Sequence, residues 1–208
     1  MCSFLLYKQK IEAVATKQSI ETISVETREE WRQWLVKNHR TKQSVWILCH
    51  TKKSDSPTIP WSELVDEALC FGWIDSTRKS IDETKFIQHF GKRKPSGTWS
   101  KINKEKIKRL IANGQMTQAG LDVIEAAKQN GSWTILDQVE ELVIPDDLEQ
   151  AFKVHEGSKD YFLNLSKSVR KMMLQWIVLA KRAETRQKRI HEIAECAGQN
   201  KKPKNFLP

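Results

Sequence analysis

The chain has 208 residues, of which 39% are hydrophobic and 29% are charged, with only 8 glycines and 6 prolines. This composition excludes a disordered, collagen-like or low-complexity chain and suits one domain or two small ones with a buried core. The eight tryptophans and the formal net charge of +9 are its unusual features, and no apolar run approaches the ~20 residues that a membrane span needs.

The four cysteines predict reduced thiols. They stand at Cys2, Cys49, Cys70 and Cys196, without a CxxC pair or zinc-finger spacing to histidine,. The N-terminal stretch has neither the basic region nor the apolar core of a secretory signal. We therefore expect a soluble, cytoplasmic protein.

The first half of the chain alternates strand and helix patterns. Residues 1–19 lack periodicity and are expected to form a loose extension, and residues 21–26 alternate as a strand does. Thr27 and Glu30 have the spacing of a capping box, which predicts a helix ending near Asn38. Residues 44–51 are apolar on both faces, as in a central strand.

Residues 53–60 are predicted to form a loop. A helix is predicted over 61–71 and stopped by Gly72, because glycine readily adopts the left-handed conformation after a helix. Residues 73–90 then predict a hairpin, followed by a basic loop over 91–97.

The second half is predicted to be helical. Helices over 101–113 and 118–130 end at glycines, residues 132–145 are ambiguous, and Pro145 opens a further helix. A helical run covers 158–197 with a break near Ala183, and residues 199–208 form a polar tail expected to fray. The fold class is α+β: a small, mostly antiparallel sheet with helices in 20–97, and an all-helical region over 98–198 packed on it.

Charge falls in blocks along the sequence. Residues 1–91 have a net charge of +1, residues 92–114 of +7, residues 115–150 of −7 and residues 151–208 of +8. The blocks either neutralise one another in the fold or leave a surface that binds anions.

Several motifs together resemble the YdeI/OmpD-associated family, also called bacteriocin-protection proteins. The resemblance extends over about residues 20–198. It rests on Ala68-Leu69-Cys70-Phe71-Gly72-Trp73-Ile74-Asp75, on Phe90 with Arg93-Lys94-Pro95, on Trp99-Ser100-Lys101, Asn103-Lys104-Glu105, on Gly114, Met116-Thr117 and Gly120, and on Trp176-Ile177 with Ala180-Lys181-Arg182 and Glu184-Thr185-Arg186.

This resemblance implies a role in protection against cationic antimicrobial peptides and a link to an outer-membrane porin. It supplies no catalytic residues, and it suggests a periplasmic setting that the start of the chain does not support. We therefore favour a non-enzymatic protein, with an enzyme kept as an alternative below, and we expect no cofactor and no metal.

The best candidate ligand site is an anion pocket built around the signature. Asp75 would sit among cationic and polar donors, and the helix after Ser100 would add backbone N–H groups, which favour anions. The alternative is an ordinary ion pair at a strand end. The candidate residues are Trp73, Asp75, Arg78, Lys79, Arg93, Lys94, Trp99, Ser100, Lys101 and Asn103.

A second candidate is the stripe formed by Arg182, Arg186 and Arg189, which share one helix face and could contact phosphates or simply face solvent. Cys70 is predicted to be a buried structural thiol, because no histidine is close in sequence. The histidines at 39, 50, 89, 155 and 191 show no metal-binding spacing,.

Three hypotheses for function follow. The first is a non-enzymatic stress-resistance protein that acts indirectly, through an anionic target or a protein partner. The second is a nucleic-acid-binding protein that uses the basic loop 92–104 and the arginine stripe. The third is an enzyme or binder of a small anionic ligand around Asp75, Arg78 and Arg93.

Overall fold

The computed structural model describes residues 20–51, 53–54 and 58–207. The chain divides into two compact units that alternate along the sequence. The first consists of residues 1–93 and 110–122, and the second of residues 94–109 and 123–208. The predicted N-terminal extension, residues 1–19, lies outside the described residues.

A four-stranded mixed sheet forms the centre of the first unit. Its strands are β1 (Thr22–Ser24), β2 (Ser44–His50), β3 (Trp73–Ser80) and β4 (Lys85–Lys92), in the order β1-β2-β4-β3. β1 is parallel to β2, and the other pairs are antiparallel. The predicted α+β class and hairpin are confirmed. The basic loop is shorter than predicted, because Gly91 and Lys92 still pair within β4.

Two helices accompany this sheet, α1 (Arg28–Asn38) and α2 (Trp61–Cys70). The Thr27 hydroxyl accepts a hydrogen bond from the Glu30 backbone N–H, as predicted for the cap. The Glu30 carboxylate accepts from the Glu26 N–H, one residue before the position that a full capping box uses,. Gly72 follows α2 with φ +74°, the left-handed conformation that glycine accommodates best.

Tryptophans dominate the core of the first unit. Trp31 is fully buried and donates its indole N–H to the Leu64 carbonyl at 3.0 Å, so its polar atom is satisfied. Its ring stacks on Trp34 at 5.3 Å and meets Phe90 at 5.4 Å. Trp34 in turn meets the buried Trp73 edge-on.

A buried ion cluster links α1 to α2. The Glu67 carboxylate is almost fully buried and accepts from Arg28 at 2.5 Å and from Arg32 at 2.6 Å. Burial acts to lower the pKa of both arginines, but the hydrogen bonds and charge of Glu67 outweigh it and raise both pKa values. Removing one partner would leave an uncompensated buried charge, so these three groups depend on one another.

Helices make up the rest of the described chain. They are α3 (Lys101–Ala112), α4 (Gln118–Gln129), α5 (Asp137–Glu140), α6 (Asp146–Val154), α7 (Ser158–Asn164), α8 (Lys167–Val178), α9 (Ala183–Gly198) and a 3₁₀ turn, Lys204–Phe206. None of the described helices is both long and apolar enough to cross a bilayer.

Two expectations about the C-terminal region were wrong. The run 158–197 breaks twice, at Ala183 as predicted and also at Ser166, whose hydroxyl caps α8 by accepting from the Val169 N–H. The tail was expected to fray, but within its described residues Pro203 is buried and the Phe206 ring meets Trp176 edge-on at 5.4 Å.

One apolar cluster holds the second unit together. Its twelve buried members all lie between Leu136 and Ala197, and they come from α5 to α9 with the residues just before α5. Phe152 and Phe162 meet at 5.3 Å near its centre. This cluster therefore comes from one continuous stretch of sequence, while Trp99, Ile107, Ile124 and Ala127 are buried residues of the second unit outside it.

Candidate functional site

Asp75 and Arg93 are two members of the predicted anion site in the first unit, Asp75 within β3 and Arg93 directly after the end of β4. The Arg93 backbone N–H donates to the Gly72 carbonyl at 3.0 Å, and Asp75 pairs with Phe90 across the hairpin. Burial lowers the pKa of the Arg93 guanidinium to about 10, while the negative charge of Asp75 opposes that shift. Arg93 is therefore a largely buried cation at neutral pH.

Trp61 joins this pair, although the sequence analysis did not select it as a site residue. Its indole N–H donates to the Asp75 carboxylate at 3.2 Å, and the residue is 52% exposed. The other seven tryptophans are buried or half-buried, so Trp61 is the exposed indole of the described residues, and its N–H is held beside a carboxylate. The only sequence signal was its position at a helix start, after Pro60.

The other first-unit candidates do not join this cluster. The ladder between β3 and β4 shifts register between Asp75 and Arg78, which redirects the side chains that follow. Arg78 lies over the Phe86 ring at 3.6 Å, and Lys79 lies over the Trp46 ring at 4.9 Å. Trp73 is fully buried and packs within the core.

The remaining candidates belong to the second unit, where Lys94 is exposed and Trp99 is buried. The Trp99 ring lies 5.0 Å from Trp133. The preceding Pro95 carbonyl accepts from the Asn130 amide at 2.8 Å and from the Ser132 hydroxyl at 3.2 Å. These contacts fix the course of the chain into α3.

The start of α3 binds groups of the protein itself. The Ser100 hydroxyl accepts from the Asn103 N–H at 3.3 Å, and the Glu140 carboxylate accepts from the Lys101 N–H at 3.4 Å. The Ser100 side chain thus caps the N-terminus of α3. An internal carboxylate already occupies part of the helix end that was expected to attract an external anion.

Two blocks of the family signature meet within the first unit. The Cys70 carbonyl accepts from the Thr117 N–H at 3.1 Å and from its hydroxyl at 2.6 Å. A Cβ atom added at Gly120 would lie 2.4 Å from the Cys70 oxygen. The Arg32 guanidinium also donates to the Gln115 carbonyl at 3.0 Å. These residues are therefore needed for packing.

Cys70 has the properties of a structural thiol, as predicted. It is fully buried, and this burial, with a smaller contribution from the charge of Glu67, raises its pKa to about 11. Its neighbour Arg32 acts in the opposite direction but does not reverse the shift. A thiol with this pKa is a poor nucleophile near neutral pH.

Two arginines of the α9 stripe are engaged within the second unit. Arg186 forms a two-pronged ion pair with Asp147, at 2.7 and 2.9 Å. Arg189 lies over the Trp176 ring at 5.0 Å and donates to the Trp176 carbonyl at 2.5 Å. Arg182 precedes α9 and is exposed.

Half of the carboxylates of the acidic block 115–150 pair with the basic blocks that flank it. Four of its eight carboxylates form ion pairs with basic residues, all within the second unit. The pairs are Asp137 with Lys104, Glu140 with Lys171, Asp147 with Arg186, and Glu149 with Lys159. Of the two interpretations of the charge blocks, mutual neutralisation accounts for these four carboxylates.

Within residues 20–51, 53–54 and 58–207, no group of three or more His, Cys, Asp or Glu side chains is placed to hold a metal ion. The histidines of this part of the chain make ring or hydrogen-bond contacts instead. His89, for example, pairs with the Ser76 hydroxyl at 2.8 Å and meets Trp46 edge-on.

Comparison with known families divides the chain in two. Residues 141–200 match the family described as "Bacteriocin-protection, YdeI or OmpD-Associated", and residues 23–123 match a domain of unknown function (DUF8412). The resemblance is confirmed over residues 141–200, a match to part of the chain. The Ala68–Asp75 signature lies in the segment that matches the other family. No curated protein and no solved structure matches the sequence.

Proposed function

Because residues 141–200 match the family described as bacteriocin-protection, YdeI or OmpD-associated, we propose that this chain is a non-enzymatic stress-resistance protein. It works in the cytoplasm and reduces the effect of antimicrobial peptides indirectly, by binding an anionic target or a protein partner. It does not capture the cationic peptide itself.

The observation that supports an indirect mechanism is the pairing of the acidic block. Ion pairs within the second unit use four of the eight carboxylates of residues 115–150. That unit contains 20 basic and 13 acidic side chains. Its surface field is therefore positive, and a positive field repels a cationic peptide and attracts an anionic ligand.

The first experiment asks whether the protein binds the peptide directly. A fluorescently labelled, lysine-rich amphipathic peptide is titrated with the full chain at about 150 mM salt, where weak surface attraction is screened. We expect no saturable rise in anisotropy. Saturable binding of this peptide at the same salt concentration contradicts the proposal.

The second experiment asks whether the basic surface is needed in cells. The chain is expressed in peptide-sensitive bacteria, and survival is compared with that of cells producing Lys181→Glu/Arg182→Glu/Lys188→Glu. These three side chains are exposed, and glutamate near the start of α9 suits the helix dipole, so the variant should fold,.

We expect the wild-type chain to raise survival and the triple variant to lose that gain. The matched control is Lys37→Glu/Lys85→Glu, which changes exposed cations of the first unit and should protect as the wild type does. Protection that is equal in all three strains contradicts a role for the second unit's basic surface.

A second candidate function is supported by the cluster of Trp61, Asp75 and Arg93. A guanidinium and a half-exposed indole that both interact with the Asp75 carboxylate suit a small ligand with a carboxylate or phosphate group and a flat apolar part. Thermal-shift measurements with inorganic phosphate, citrate and an aryl phosphate test this function. Stabilisation by the aryl phosphate that Trp61→Ala abolishes supports it, and no stabilisation by any of the three contradicts it.

A further inference from the structure

A groove of about 560 Å³ lies between α8, α9 and the C-terminal segment of the second unit. Its walls are largely apolar, with one arginine and no carboxylate among the lining residues. The lining residues are Met172, Gln175, Trp176, Leu179, Arg189, Asn205 and Phe206.

The α8 wall is a second apolar stripe that the core does not use. Met173, Leu174 and Ile177 of the same helix are buried in the core cluster. Met172 and Leu179, seven positions apart, are instead 48% and 37% exposed. Residues spaced by three, four and seven positions share one helix face, so Trp176 and Gln175 lie between them on the groove side. Because α8 is apolar on two faces and the core covers only one of them, the other face is a candidate binding surface.

The charge pattern around the groove is one-sided. Residues 161–183, which include α8, and residues 196–208, which include the C-terminal wall, contain eight basic and no acidic side chains. The groove lies between these two acid-free segments and α9, which contributes Arg189 to the lining and whose Glu184, Glu192 and Glu195 do not line it. It therefore complements an apolar group that is flanked by carboxylates.

Arg189 is held in place at the edge of the groove. Its guanidinium lies over the Trp176 ring, and one of its N–H groups donates to the Trp176 carbonyl. A guanidinium has five N–H donors, so the remaining donors can meet a carboxylate in a fixed geometry. Stacking on the indole reduces the side-chain entropy that binding would otherwise remove.

From these contacts we propose that the groove is the docking site for an acidic protein segment, which inserts an aromatic or aliphatic side chain between Met172, Trp176 and Phe206 and places a carboxylate on Arg189. This inference rests on the proposed function and specifies its protein partner. Methionine and leucine walls adapt to such inserted side chains, as in grooves that bind amphipathic helices.

The geometry favours a protein segment over a membrane or a nucleic acid. Membrane-surface proteins insert protruding apolar side chains, whereas Trp176 and Phe206 are half-buried and meet edge to face. Base stacking needs an open ring face, and Arg189 covers one face of Trp176.

The test uses the full chain and an array of synthetic peptides of about 12 residues. Each peptide has one Trp, Phe, Leu or Met anchor, flanked either by Asp and Glu or by Lys. Peptides that bind on the array are then titrated in solution by fluorescence anisotropy. We expect acid-flanked peptides to bind and lysine-flanked peptides with the same anchors not to bind.

Two groove variants and one control locate the binding. Met172→Glu should weaken the binding of an acid-flanked peptide, raising its Kd by at least about tenfold. Arg189→Gln should also raise this Kd and should make it less dependent on salt concentration. Val154→Glu alters a residue of the same unit that is 77% exposed and does not line this groove, and it should bind as the wild type does. Thermal unfolding of all three variants confirms that they are folded.

The proposal is overturned if no acid-flanked peptide binds with a Kd below about 100 μM, or if Met172→Glu and Val154→Glu bind equally. It is also overturned if Met172→Glu abolishes binding of phosphatidylglycerol vesicles or of a single-stranded oligonucleotide and leaves peptide binding unchanged. Cell survival separates the two proposals. Peptide binding without protection contradicts the proposed function alone, and protection that persists in Met172→Glu contradicts this docking site alone.

Discussion

At the scale of single residues, Gly120 is the glycine at which one added methyl group should lower the stability of the fold most. A Cβ atom there would lie 2.4 Å from the Cys70 carbonyl oxygen, a backbone atom that cannot move aside cheaply. We expect Gly120→Ala to lower the free energy of unfolding by about 3 kcal/mol through overpacking. Urea denaturation at equilibrium measures the change.

The control for this substitution is Gly114→Ala. Gly114 has φ +65° but nothing within 4 Å of an added Cβ, so its substitution introduces only backbone strain of about 1 kcal/mol. If the two alanine variants lose equal stability, the tight packing of Gly120 on Cys70 is not the reason that a glycine stands there.

The thiols should differ in reactivity according to their burial. Burial raises the pKa of Cys49 and of Cys70 to about 11, so at pH 8 only about one thiol in a thousand is ionised at each site. Burial also raises the pKa of Cys196, but that residue is half-exposed. In a Cys2→Ser background, we expect iodoacetamide to label Cys196 first.

Peptide mapping by mass spectrometry identifies the labelled site, and unfolding in urea should make all three thiols react alike. Labelling of Cys70 as fast as Cys196 in the folded protein would mean that the region around Gly72 opens readily.

Single residues also show what sequence patterns could and could not predict. The structural role of Cys70 was predicted from its place at a helix C-terminus, where the helix dipole disfavours a thiolate, and from the absence of a nearby histidine. The exposure of Trp61 and its hydrogen bond to Asp75 were not predicted, because that contact joins a helix start to a strand fourteen residues later. Periodicity predicts which face is buried, but it does not predict which distant side chain an exposed residue meets.

At the scale of elements, short-range signals were reliable where a specific residue type is required. Gly72, Gly114 and Gly131 all have positive φ and follow helices, as their positions predicted, because few other residues tolerate that conformation. The break at Ser166 was missed, because the apolar spacing of α7 and α8 is compatible with one continuous helix. There the serine hydroxyl caps α8 and starts a new helix,.

The ion pair between α6 and α9 should make stability depend on pH in a defined direction. The hydrogen bond from Arg186, and then its charge, hold the pKa of Asp147 below its usual value of 3.8. A depressed carboxylate pKa stabilises the fold above the pKa of the unfolded chain, and that stabilisation disappears as the pH falls through the folded value. We expect the pair to contribute about 1 kcal/mol, because both side chains are partly exposed,.

Thermal unfolding between pH about 6 and 3 tests this dependence. Asp147→Asn should lower Tm at pH 6 and should show a smaller loss of Tm on acidification than the wild type. Asp160→Asn, which changes an exposed carboxylate of α7, should follow the wild-type curve. An unchanged acid slope in Asp147→Asn would mean that other carboxylates account for the acid sensitivity.

At the scale of the whole molecule, the predicted anion site depended on residues that the fold assigns to different units. Trp73, Asp75, Arg78, Lys79 and Arg93 belong to the first unit, and Lys94, Trp99, Ser100, Lys101 and Asn103 to the second. The sequence pattern alone predicts that Arg93 and Lys94 belong to one basic loop. Only the pairing of β4 with both neighbouring strands reveals that the first unit extends to the end of that strand.

The boundary between units also explains which part of the chain can be expected to fold alone. All twelve residues of the second unit's core cluster lie between Leu136 and Ala197. Three of the four ion pairs of the acidic block are also contained in residues 132–208, whereas the pair of Lys104 with Asp137 is not. This stretch includes the whole family match, residues 141–200.

We therefore expect a fragment of residues 132–208 to form a helical, cooperatively unfolding domain with a lower Tm than the full chain, because a chain of this size buries only a small core. Far-ultraviolet circular dichroism during heating measures both properties. Phe162→Ala in the same fragment should abolish the transition, since it removes about 3 to 5 kcal/mol of core packing. A coil spectrum for the unsubstituted fragment would mean that residues outside 132–208 are needed to complete this core.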